Sequence, residues 1–165
     1  MTVNAIRRAG GFVALCIIQA IVLNKIHLFD CATPLLLVYF VLTFPRGYPR
    51  GGVLLWSFLL GLSTDILTDT PGIAAASMTL VAFIQPYYIE LFMPRDAADD
   101  LTPSVQTFGK LKYITYSATL TVLYCLVFYA LETFNFLDPL RYIMCAGGSA
   151  VLTVLLIFTI ESVRK

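Results

Sequence analysis

The chain has 165 residues, of which 59% are hydrophobic and 13% charged, with a net charge of +1 and a mean hydropathy of +0.84. Soluble domains are about a quarter charged, so a chain this apolar has lipid as the solvent for much of its surface. The near-zero net charge argues against a nucleic-acid partner, because phosphate recognition needs a concentrated basic face.

A spanning helix needs about 20 mostly apolar residues, and six segments are read against that requirement. The first is 8–25. Its apolar run continues through Ile21-Val22-Leu23 and more spans follow, so it reads as an uncleaved span rather than a secretory or twin-arginine signal. The second, 33–44, lies between Asp30 and Pro45-Arg46 and is shorter than a full span, which suits a short crossing or a re-entrant segment. The third and fourth are 52–69 and 72–92, the fifth 113–132 and the sixth 140–163. The longest loop follows the fourth span, is mixed in charge and contains Pro94 and Pro103. No loop is long enough for a separate domain, so 1–165 reads as one integral membrane domain.

Charge bias favours a crossing by the second segment. If it crosses, Arg7, Arg8, Arg46, Arg50, Arg95, Lys110, Lys112, Arg164 and Lys165 share one side, with only Lys25 and Arg141 on the other, nine against two. Without that crossing the basic residues scatter, and the asymmetry that orients such proteins is lost. The expectation is an all-α, polytopic bundle of six transmembrane helices with both termini in the cytoplasm. Tyr87, Tyr88, Tyr113 and Tyr116 are expected in an inner aromatic belt, and Phe128 and Tyr129 in an outer one.

The most informative stretch is WSFLLGLSTDILTDTPGIAAAS, 56–77. Asp65 and Asp69 stand one turn apart and share a face with Gly61, one turn before Asp65. Gly61 lets another backbone approach closely and receive the Asp65 carboxylate or the Thr64 and Thr68 hydroxyls. Gly72 follows in a Pro-Gly turn. A carboxylate at membrane depth is costly, so Asp65 is read as a structural pair or helix cap, or as a group for proton coupling or ligand binding. In the first span Gln19, Asn24 and Lys25, followed by His27 and Asp30, occupy the same outer half. Asn24 or Lys25 could satisfy Asp65; the other reading is a solvated helix end with Lys25 at the headgroups.

Gln85-Pro86 marks an expected kink, Glu90 a carboxylate at the inner interface with Arg95, and Ala146–Ala150 a small-residue patch for close helix packing. Cys16, Cys31, Cys125 and Cys145 have no CxxC spacing and read as small apolar side chains rather than a disulfide or zinc framework. His27 is the sole histidine. No nucleotide-binding, metalloprotease or nucleophile motif is present, so no catalytic residue, metal ligand or cofactor is expected.

The order LNKIHLF, TPLLLVYFVLTFPRGYPR and FLLGLSTDILTDTPGIAAASMTLVAFIQPY resembles the MreD family of rod shape-determining proteins. That resemblance implies a non-enzymatic scaffold subunit in the bacterial inner membrane, supporting peptidoglycan synthesis along the lateral wall. Its implied partners are MreC first, then RodA, its transpeptidase partner and MreB, with the lipid bilayer around it. On this reading Asn24, Gly61, Asp65, Asp69 and Gly72 form a partner-binding or structural polar cluster. The family's fold is also similar to that of the substrate-binding membrane subunits of energy-coupling-factor vitamin transporters, and this alternative reading requires an outward-open pocket lined by residues such as Asn24, Asp65, Trp56 or the tyrosines of the fifth span.

Overall fold

The computed structural model describes residues 2–21, 35–70, 72–92, 101–132 and 139–163. The helices are α1 (Thr2–Ile21), α2 (Val38–Leu42), α3 (Arg50–Thr68), α4 (Ile73–Phe92), α5 (Val105–Phe108), α6 (Lys110–Glu132) and α7 (Pro139–Val163), and the described residues contain no strand. Among them, Arg50–Thr68, Lys110–Glu132 and Ile143–Val163 are long and apolar enough to cross a membrane. The helix α3 packs on α4, α4 on α6 and α6 on α7, while α1 lies against α3. The exterior is as apolar as the interior, and several polar side chains are buried between helices. Leu55, Ile66, Phe83, Leu91 and Val151 face outward, whereas Ser57, Thr64, Gln85, Thr121 and Thr153 face inward. That is the pattern of helices whose outer solvent is hydrocarbon, where polar side chains serve as contacts between helices.

The second expected span takes a different form. Over residues 35–44 only the five residues of α2 are helical, a rise of about 7.5 Å at 1.5 Å per residue. Every residue from Leu35 to Leu42 is buried, and α2 touches α1, α3, α4 and α6, so the segment runs through the middle of the bundle. Backbone outside a helix at membrane depth persists only where protein groups replace water. Here they do. The Leu36 N–H donates to Gln19 Oε1 of α1 at 3.0 Å, and the Leu35 N–H to Thr153 Oγ1 of α7 at 2.9 Å. Gln85 Nε2 of α4 donates to the Phe44 carbonyl at 3.4 Å, and the Tyr39 hydroxyl to Glu161 Oε2 of α7 at 3.1 Å.

One end of the bundle collects charge and aromatic rings. Arg50 Nη1 donates to the Tyr87 hydroxyl at 3.1 Å, joining the start of α3 to the end of α4. Phe92, Phe108 and Tyr116 pack ring against ring, bringing α5 and the start of α6 to the same end. Arg46, Arg50, Lys110 and Lys112 belong to these element ends. The expected aromatic belt is corrected in part: Tyr113, Tyr116 and Tyr129 are buried, and only Tyr87 is openly exposed. Tyr116 turns inward because its hydroxyl receives Gln85 Nε2 at 3.1 Å while its ring stacks on Tyr88. Tyr129 shares a 2.6 Å hydrogen bond with Ser149.

The cysteine reading is corrected as well. Cys16 and Cys125 are buried free thiols, but Cys145 is disulfide-bonded. Disulfides persist in oxidising compartments, and chain spacing alone did not reveal this one. In the small-residue patch, Ala146, Ser149 and Ala150 are buried whereas Gly147 faces open space. The helix α4 continues through Pro86, and Glu90 is exposed near its end, with Arg95 outside the described residues.

Three buried hydroxyls, Ser57 Oγ, Thr121 Oγ1 and the Tyr124 OH, have no hydrogen-bond partner among the described residues. Removing a hydroxyl that makes no bond relieves its desolvation penalty, so Tyr124→Phe is expected to keep stability unchanged or raise it by about 1 kcal/mol. Thermal unfolding in detergent checks this. A lowered midpoint would mean that the hydroxyl has a polar partner.

Candidate functional site

The helix α3 ends at Thr68 because Asp69 adopts a left-handed conformation, φ 54°, and its N–H donates back to the Asp65 carbonyl. The Thr70 N–H donates to the same carbonyl at 3.2 Å, closing the last turn. Four residues after Thr68 the chain reaches Gly72, also at positive φ, whose carbonyl accepts the first helical bond of α4 from Ala76 at 3.0 Å. Gly72 therefore stands at the N-cap position, but it has no side chain with which to cap the second and third N–H groups of α4.

Asp65 supplies that cap from the other helix. Its Oδ1 receives the Ala74 N–H and the Thr70 hydroxyl, each at 2.9 Å, and its Oδ2 receives the Ala75 N–H at 2.9 Å. Each carboxylate oxygen thus takes a backbone donor at the positive end of a helix, the favoured place for an anion. Thr70 is itself held by a 2.7 Å contact with Thr68, whose hydroxyl also bonds the Thr64 carbonyl. Thr64 meets Cys16 of α1 at 3.9 Å.

Such reach requires near contact between backbones, and Gly61 permits it. A Cβ at Gly61 would lie 2.5 Å from Ala75 Cα and 2.7 Å from both Ala74 O and Ala75 N. All three are backbone atoms, so no side-chain rotation could relieve the clash. Gly61 and Asp65, one turn apart on the same face of α3, set the separation of α3 and α4 and anchor the start of α4.

The five sequence-selected residues therefore divide. Gly61 and Asp65 are buried together in the α3–α4 seam, and Gly72 begins α4. Asp69 is exposed, because its left-handed backbone carries it off the helical face that holds Asp65. Asn24, together with Lys25, His27 and Asp30, lies outside the described residues. Gln19, expected near Asp65, instead serves Leu36. Gln85, Thr153 and Glu161 were not singled out for the roles they hold around α2; the only signal in the sequence is a lone polar residue in an apolar helix. Among the described residues, no group of three or more His, Cys, Asp or Glu is placed to hold a metal ion.

Asp65→Asn presents an amide N–H₂ to a backbone donor, losing at least one cap bond, and is expected to cost about 1–3 kcal/mol. Gly61→Ala forces the helices apart at a similar cost, about 1–3 kcal/mol. Because both substitutions open one seam, the double variant should lose less than the sum of the two. Thermal unfolding of the four proteins in detergent measures this, and strict additivity would show that the residues act separately. No family model, curated protein or solved structure matches the chain.

Proposed function

We propose that the protein is a non-enzymatic scaffold subunit of the bacterial cell-elongation machinery, similar to MreD, which docks the bitopic protein MreC in the inner membrane. The observation that carries the reading is the use of Asp65. In the stretch that bears the resemblance, GLSTDILTDTPGIAAAS, the carboxylate is committed to capping α4 and shaping the turn that follows α3. Gln19, Gln85, Thr153 and Glu161 likewise bond the central segment. Polar groups spent on bracing backbone suit a rigid docking body.

In this proposal the chain crosses six times with both termini in the cytoplasm, the buried segment around α2 serving as the second crossing. Arg46, Arg50, Lys110 and Lys112 at one end support the cytoplasmic assignment of that end. The disulfide at Cys145, near the opposite end of α7, supports an oxidising compartment there. The turn with exposed Asp69 and Gly72 then faces outward and meets MreC, while Gly147 offers a surface for close packing of its spanning helix. RodA, its transpeptidase partner and MreB join through the same assembly.

The test is a mild-detergent pull-down of the tagged protein from native membranes, with mass spectrometry of bound proteins and small molecules. Recovery of MreC with the elongation enzymes is expected. Asp69→Asn, which removes the charge yet tolerates the left-handed backbone, should reduce recovery of MreC severalfold without moving the thermal midpoint, whereas Asp65→Asn should lower both. Recovery of an ATPase module or a vitamin in place of MreC would make the chain a transporter subunit instead.

A further inference from the structure

The α3–α4 seam continues beyond Gly61 to the basic end of the bundle, where its outer edge combines exposed apolar side chains with a fixed positive charge. Gly61 against Ala74 and Ala75, and Arg50 against Tyr87, establish that the two helices run antiparallel. Arg50, Leu54 and Phe58 therefore stand on successive turns of α3 beside Tyr87, Phe83 and Leu80 on successive turns of α4. Phe58, Leu80, Phe83 and Tyr87 are exposed, and the Phe83 and Tyr87 rings lie 6.0 Å apart.

The guanidinium of Arg50 is held in place. Its Nη1 donates to the Tyr87 hydroxyl at 3.1 Å and its Cζ lies 4.8 Å from the centre of the Tyr87 ring. One N–H is used, leaving the rest of a planar fork that suits the paired oxygens of a phosphate. From Arg50 to Phe58 the helix rises about 12 Å, close to half of a hydrocarbon core about 30 Å thick. The apolar edge is thus as long as one leaflet, with the charge at its polar limit.

We propose that this edge is a binding site for one anionic phospholipid, with an acyl chain along Phe58, Leu80 and Phe83 and the headgroup phosphate on Arg50. Charge complementarity selects the occupant: a zwitterionic lipid brings its own cation to the same guanidinium, and an anionic one does not. The site depends on α3 spanning the membrane and is independent of any protein partner.

The experiment is native mass spectrometry of the full chain in mild detergent, with phosphatidylglycerol or phosphatidylcholine added at matched concentration. The wild type should retain phosphatidylglycerol in preference. Arg50→Gln should lower that retention by about fivefold, the effect of one basic residue at a membrane surface, and leave phosphatidylcholine unchanged. Lys112→Gln removes an equal charge from the exposed start of α6 and should leave phosphatidylglycerol retention as it is. Equal losses for the two variants, or none for Arg50→Gln, would overturn the site in favour of diffuse attraction. If Arg50→Gln fails to fold, Arg50→Lys keeps the charge but loses the fork; it should retain less than the wild type, and full retention would overturn the proposal equally.

Discussion

Hydrocarbon offers no hydrogen bonds, and two departures from helix among the described residues are arranged around that fact. A backbone donor or acceptor left unpaired at depth costs about 1–3 kcal/mol even in mutational terms, so irregular chain survives only where a side chain reaches it. The segment 35–44 is the largest such departure. It is held by Gln19, Gln85, Thr153 and Glu161, one or two from each of α1, α4 and α7. The start of α4 is a smaller case with the same solution, because Asp65 of the neighbouring helix occupies the place of the cap that Gly72 lacks.

This use of polar groups explains their distribution. Helices in lipid gain little from hiding apolar surface against each other, so specificity comes from close packing and a few directed bonds. Gly61 provides the first and Asp65 the second, one turn apart, which makes the α3–α4 pair a unit whose spacing and registration are set at the same point. Toward the basic end the two helices are tied again by Arg50 and Tyr87. Between these two ties Val53, Leu60, Met78 and Val81 are buried together with Ser57 and Ser77.

What could be read from the sequence was whatever depends on neighbours along one helix. Long apolar runs mark α3, α4, α6 and α7, and the i, i+4 spacing of Gly61 and Asp65 puts a close-approach position beside an acceptor. The partners of single polar residues were another matter. Gln19 meets a group 17 residues away and Glu161 one 122 residues away, and nothing in local spacing encodes such pairings. For the same reason the segment 33–44 read as a short crossing or a re-entrant segment: its apolar composition records that it is buried, not that over 35–44 only Val38–Leu42 is helical. Tyr116 shows the converse ambiguity, since a tyrosine near a helix end suits a headgroup belt until Gln85 from another helix is seen to bond it.

The seat of the central segment also sets an order of construction. Thr153 and Glu161 belong to α7, which is synthesised after α1 to α6, and lie 118 and 122 residues beyond the groups they bond. While the ribosome is still making α3, α4 and α6, the bonds from the Leu35 N–H to Thr153 and from the Tyr39 hydroxyl to Glu161 cannot form. The bonding of residues 35–44 is therefore completed only when α7 arrives. Docking of α7 thus completes the bundle's interior, and a chain released before α7 leaves the Leu35 N–H without Thr153.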